Sequence, residues 1–171
     1  MGFTPLEGLV MGTRVGDIDP GAVIHLGQKL KLSSEKLESY LYRECGLLGI
    51  SGKSNDIRDL LKLESEGDVR AELALEVFVY RIKKYIGSYF ATLNGLDMLV
   101  FSGGIGERSP VIRSRICGNI GALGVVLDED KNAGAVSADA FIGKEGASAK
   151  VAVIVTDEMG EIAREAGNIV Q

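Results

Sequence analysis

With 171 residues, 46% hydrophobic and 25% charged, the chain has the make-up of one globular domain with a real core, and it holds no apolar run long enough to span a membrane. A net charge of −5 with acids and bases interspersed argues against a nucleic-acid partner, because gripping a phosphate backbone takes a basic face. A single histidine, His25, excludes a multi-histidine zinc site within the chain.

Asp19-Pro20 reads as an N-cap and first helical position, opening a helix through about Lys29. Ser33 or Ser34 caps a second helix with Leu37, Tyr40, Leu41 and Cys45 on one side, and Gly46 ends it. Asn55-Asp56 starts a short helix holding Leu60 and Leu61. A long helix runs from Asp68 to about Leu93, its apolar face traced by Phe78, Ile82, Tyr85, Ile86, Tyr89 and Leu93. Met98 to Ser102 reads as a strand buried on both faces. Ser109-Pro110 opens another helix, and Val125 to Leu127 is a short strand. Residues 129–149, polar and small, read as surface loop with some helix. Val151 to Val155 is a second buried strand, and Thr156-Asp157-Glu158 caps the last helix. Helices and buried strands alternate, so the expected class is α/β with a largely parallel core. No segment reads as a secretory signal, and Cys45 and Cys117, far apart and without CxxC spacing, read as buried reduced thiols of a cytoplasmic protein.

Four segments carry chemistry. In Phe101-Ser102-Gly103-Gly104-Ile105-Gly106, glycines sit where a strand turns toward a helix. Ligands of α/β folds bind at such strand ends, and glycines let backbone N–H groups approach phosphate oxygens. The spacing matches neither the dinucleotide nor the P-loop fingerprint; a tight connection without a ligand stands level with a phosphate turn. In MGTRVGDIDP, Arg14 lies between Gly12 and Gly16, which suits bidentate binding of phosphate or carboxylate; a surface pair with Asp17 is the commoner arrangement but leaves the glycines unexplained. In GISGKSNDIRDL, Asn55 and Asp56 suit a helix cap, and Asp56 and Arg58 also suit hydrogen bonding to a ligand. In VIVTDEMGEIARE, the carboxylates at the helix start suit the dipole and equally a hydrated magnesium.

Taken together, TPLEGLVMGTRVGDIDP, GISGKSNDIRDL, VFSGGIGERSPVIRSRI and TDEMGEIARE, in this order, resemble the C-terminal half of the acetokinase family, which holds acetate, propionate and butyrate kinases within the actin-like ATPase superfamily. The resemblance covers essentially the whole chain. It implies one C-terminal acetokinase domain fragment over residues 1–171, a partial actin-like, ribonuclease H-like ATPase domain with a buried sheet and flanking helices. It implies reversible, magnesium-dependent phosphoryl transfer from ATP to acetate, giving acetyl phosphate and ADP. By the resemblance Arg14 binds the carboxylate and the migrating phosphoryl group, and Pro5 helps form the pocket for the acyl methyl. Asp56, Ile57 and Arg58 line the adenosine site; Gly103, Gly104, Ile105 and Gly106 pass beside the ADP phosphates; Glu158 helps hold Mg2+ through water.

The resemblance also sets expectations about what lies elsewhere. The family's N-terminal domain, the first strands of the C-terminal domain, its catalytic histidine, an aspartate and a second substrate arginine fall outside this sequence; His25 is not that histidine. Arg108, Met159 and Ile57 stand where relatives often carry Asn, Glu, and Phe or Met. The expected partners are a short-chain carboxylate, ATP, and either a second copy of the chain in a homodimer or a missing N-terminal half. Propionate or butyrate specificity and a non-catalytic dimerisation fragment are the alternatives.

Overall fold

The structure, a computed structural model, describes residues 2–170. It divides into two compact units, Met1–Ile86 and Gly87–Gln171.

The first unit is helical: α1 (Pro20–Leu30), α2 (Ser34–Arg43), α3 (Gly46–Ser51), α4 (Ile57–Ser65) and most of α5 (Val69–Leu93). Local capping chemistry sets the starts. The Asp19 carboxylate accepts from the Gly21 and Ala22 amides, Ser33 Oγ from Lys36 N, Asp56 from Arg58 N, and Asp68 from the Arg70 and Ala71 amides. The second helix ends at Arg43, before Gly46; Gly46 instead begins α3, in the left-handed region at φ 62°. The core holds Val10, Leu41, Leu47, Ile57 and Leu60 against Ala71, Ala74, Leu75, Phe78 and Val79 of α5. Those five positions repeat at the three-and-four spacing of one helix face. The stripe expected from the sequence is displaced: Phe78 is buried, but Tyr89 and Leu93 are 59% and 70% exposed. Two small alanines carry the seam where larger residues were expected.

The second unit is mixed α/β: β1 (Met98–Phe101), α6 (Gly103–Arg108), α7 (Pro110–Cys117), a 3₁₀ turn at Gly121–Leu123, α8 (Glu129–Gly134), β2 (Ala140–Phe141), β3 (Lys150–Val153) and α9 (Glu158–Val170). The sheet order is β1-β3-β2. Strands β1 and β3 pair in parallel, Met98 opposite Lys150 through Phe101 opposite Val153, while β2 runs antiparallel to β3 with Ala140 opposite Val153. The sheet is thus small and mixed rather than largely parallel. Val151, Ala152 and Val153 of the central strand are buried. Burial of β1 on both faces does not hold: Phe101 is buried, but Met98 and Val100 are exposed, since β1 is an edge strand with β3 on one side only. Val125 to Leu127 forms no strand. Val125 bridges Ala149 in parallel and Leu127 bridges Gly143 antiparallel, and pairing in opposite senses prevents a ladder. Strand β3 stops at Val153, and the Val155 amide is taken by Asp139 Oδ1 at 2.8 Å. Among the described residues no helix is long and apolar enough to cross a membrane.

Candidate functional site

In the first unit, the segment around Arg14 is held by backbone contacts. The amides of Cys45, Leu47 and Leu48 donate to the carbonyls of Thr13, Met11 and Gly12 at 3.0, 2.9 and 2.9 Å. Such close packing explains the glycines: a Cβ on Gly16 would lie 2.6 Å from Val10 N, and one on Gly46 would lie 2.2 Å from the Met11 carbonyl oxygen. Asp17 does not pair with Arg14. Its carboxylate takes the Tyr85 hydroxyl at 2.6 Å and the Gly8 amide at 2.7 Å, and its carbonyl oxygen accepts from Arg81. The Tyr85 hydrogen bond, chiefly, holds the Asp17 carboxyl below the usual carboxylate range.

Arg14 itself is half-buried, with Nη1 3.6 Å from Met11 Sδ and its guanidinium carbon 5.9 Å from the Tyr42 ring centre. It lines a surface pocket with Glu35, Ser39 and Tyr42. Among the described residues it forms no ion pair. A soft sulfur and an aromatic face orient the fork without consuming it, which leaves its donors for an anion. Pro5 is partly exposed in the turn-rich segment before this loop.

At the start of α4, Asp56 and Arg58 form a bidentate pair: Nε lies 3.0 and 3.2 Å from the two carboxylate oxygens and Nη2 lies 2.5 Å from Oδ2. Arg58 pulls the Asp56 carboxyl down from 3.8 to about 2. The same carboxylate caps the helix. Ile57 between them is only 5% exposed and packs in the core, so its side chain anchors the pair and offers no open surface.

In the second unit, Phe101 ends β1 and the glycine run forms the short helix α6. Gly103 has φ 70°, and a Cβ on Gly103 or Gly104 would meet nothing within 4 Å. Ile105 is exposed, whereas Gly106 backs onto Phe101. Glu107 follows, 5% exposed, with Oε1 accepting from Gly103 N at 2.8 Å, Thr156 N at 2.9 Å and Thr156 Oγ1 at 2.8 Å. The Thr156 donors, foremost the amide, hold its carboxyl below the usual range. The glycine turn and the start of α9, which carries Glu158, are therefore adjacent. Glu158 is exposed, and Asp157 caps Gly160 N at 3.0 Å. Among the described residues no cluster of three or more His, Cys, Asp or Glu gathers. Single carboxylates at the end of a strand beside an open glycine turn are nonetheless the donor set magnesium takes, since it keeps several waters and adds substrate phosphates.

Behind the turn, Arg113 is fully buried. Its Nε reaches Asn132 Oδ1 at 2.8 Å, Nη1 the Gly106 carbonyl at 2.7 Å, and Nη2 the carbonyls of Asn132 and Ala135 at 2.8 and 2.7 Å. Burial pushes its guanidinium pKa down. His25 is exposed on α1. Neither cysteine is in a disulfide; Cys117 is buried as expected, and Cys45 is only half-buried, its thiol pushed up by burial. Glu107 and Arg113 have no role in the sequence reading, where Tyr85 stands only on an apolar helix face; an acid directly after a glycine turn and an arginine on a buried helix face are the available signals.

The family model described as the acetokinase family matches residues 1–164. The chain belongs to the acetokinase family. It is 49% identical over 165 residues to an acetate kinase of Heliobacterium modesticaldum, covering 96% of this chain and 41% of that protein. The crystal structure of Porphyromonas gingivalis acetate kinase superposes with a TM-score of 0.92 at 38% identity, covering 100% of this chain and 43% of that one. A propionate kinase from Francisella tularensis superposes at 0.87 with 41% identity, covering 96% and 42%. This acetokinase-family chain thus spans about two-fifths of the length of the relatives it matches, and its mixed α/β architecture matches theirs.

Proposed function

We propose that the chain is the C-terminal portion of an acetate kinase, cytoplasmic, acting with the remainder of such an enzyme to transfer a phosphoryl group reversibly from ATP to acetate. The observation that carries this is Arg14: a guanidinium without a carboxylate partner, oriented by Met11 and Tyr42 on a backbone-locked loop, in a member of the acetokinase family. Phosphoryl transfer asks the protein mainly for positioning and for cancellation of charge. Arg14 would bind the acyl carboxylate and the migrating group with its fork, and Pro5 would border the acyl methyl. Asp56 and Arg58, seated by Ile57, would border the adenosine. Gly103, Gly104, Ile105 and Gly106 would present open backbone to the ADP phosphates. Glu158 would hold magnesium through water, the ion cancelling charge on the transferred group. The attacking carboxylate is ionised at neutral pH, so no general base is needed.

The match to a propionate kinase keeps propionate as the alternative acyl substrate, with butyrate behind it. The exposed apolar residues of α5 favour a second reading, a dimerisation fragment without activity of its own.

The test is a coupled assay of acetyl phosphate formation from acetate and magnesium-ATP. Wild-type chain and Arg14→Ala would each be measured alone and mixed with the remaining portion of the Heliobacterium relative. Activity only in the mixture, cut about a hundredfold or more by Arg14→Ala, is the expected result. Activity of the isolated chain would show that the assignment of the reaction to two portions is wrong. Silence in every mixture of well-folded proteins would leave the dimerisation fragment standing.

A further inference from the structure

We propose that Glu107 is a positioning residue, a clamp whose one carboxylate oxygen sets the spacing between the glycine turn and the helix start that carries Glu158. The geometry is specific. Oε1 gathers Gly103 N, Thr156 N and Thr156 Oγ1 within 2.8–2.9 Å. Gly103 N belongs to the first residue of α6, and Thr156 lies two residues before α9. The link spans 49 positions of sequence. One side chain thereby bonds both segments at once. The carboxylate is buried, where an acceptor of three donors is hard for water to replace. The Glu107 carbonyl also accepts from Ser137 N at 3.1 Å, which fixes the backbone that carries the clamp.

Phosphate-facing amides and a metal-facing carboxylate act on one magnesium-bound phosphate only when their separation is fixed, and small displacements lose much of the benefit. The clamp fixes it. This role rests on the nucleotide reading given above, and the experiment separates the two. Amide hydrogen exchange of this chain would be followed by NMR at Gly103 and Thr156, and ADP binding by calorimetry, with and without magnesium, on the chain mixed with the remaining portion of the Heliobacterium relative.

Both amides are expected to be protected in the wild-type chain and to exchange together about tenfold faster in Glu107→Ala, the worth of one net buried hydrogen bond. Protection along α5 stays unchanged. Glu107→Gln, which keeps an oxygen acceptor in place, recovers most of the protection, and Thr156→Val shows a smaller loss of the same sign. In Glu107→Ala the gain in ADP affinity given by magnesium falls about tenfold, while magnesium-free ADP binding moves little. Exchange that rises throughout the second unit, or at only one of the two amides, overturns the clamp. So does an undiminished magnesium effect in Glu107→Ala. A mixture with wild-type chain that binds ADP no better than the remaining portion alone overturns the nucleotide reading and the purpose assigned here, and the exchange data then decide the clamp alone.

Discussion

Gly46 and Gly103 share a left-handed backbone, at φ 62° and 70°, yet they do different things. A Cβ on Gly46 would sit 2.2 Å from the Met11 carbonyl oxygen, whereas one on Gly103 would meet nothing within 4 Å. Gly46→Ala combines conformational strain with a backbone clash, an expected loss of about 3 kcal/mol in urea denaturation. Gly103→Ala carries the strain alone, about 1–2 kcal/mol. A larger loss at Gly103 than at Gly46 would contradict this reading of the two turns. The sequence announced both glycines but not their difference, because the atoms that crowd Gly46 come from a loop more than thirty positions away. Asp56 was legible as a helix cap for the opposite reason: its partners are its own neighbours. Its carboxyl drops from 3.8 to about 2. The folded value is the lower one, so its stabilisation is complete above about 3.8 and is lost as the pH falls through about 2. Asp56→Asn keeps a capping oxygen and removes the ion pair with Arg58. Its Tm deficit, small at neutral pH for so exposed a pair, is expected to shrink below about pH 3.8 and vanish near 2. A pH-independent deficit would assign the loss to something other than the charge.

Elements whose starts are written in local chemistry came through the sequence well. Asp19, Ser33, Asp56 and Ser109 each bond an amide two or three residues on. Helix α3 escaped because six residues with Gly46 and Gly49 show no periodic face, and its amides are satisfied by the Met11–Thr13 carbonyls from another part of the chain. The run of apolar residues in β1 suits a central strand and an edge strand alike, so its place at the edge of the sheet is not written in the sequence. The way α6, α7 and α8 hold together depends on Arg113, a buried charge that apolar periodicity does not signal. Its donors end on the carbonyls of Gly106, Asn132 and Ala135 and on Asn132 Oδ1. Asn132 and Ala135 lie at the C-terminal end of α8, where the helix dipole is negative. Arg113→Met fills similar volume but leaves these buried acceptors without donors, an expected loss of about 3 kcal/mol or more. Arg113→Lys keeps the charge but lacks the fork, and an expected loss of about 2 kcal/mol follows. A stable Arg113→Met protein with an unchanged midpoint would mean the acceptors find other partners at no cost.

For the molecule as a whole, the question is what its exposed apolar residues meet. On α5, Val69, Leu73 and Tyr80 are 70%, 41% and 60% exposed. Single apolar residues at a surface are ordinary, but these three stand at spacings of four and seven on one helix face, an arrangement suited to a contact. The chain matches about two-fifths of its relatives, so either a second copy or the remaining portion of such a protein is a suitable cover. The negative net charge does little to oppose self-association at physiological ionic strength, because charges separated by more than about 8 Å are largely screened. Sedimentation velocity on the isolated chain is expected to show a dimer whose population rises with concentration. Leu73→Glu and Tyr80→Glu, each placing a charge on that face, shift the boundary toward monomer. Val136→Glu, at an exposed apolar site in the second unit, leaves it unchanged. Uniform weakening by all three substitutions would point to non-specific association, and a monomer at every concentration would leave the α5 residues to be covered by the remaining portion of such a protein.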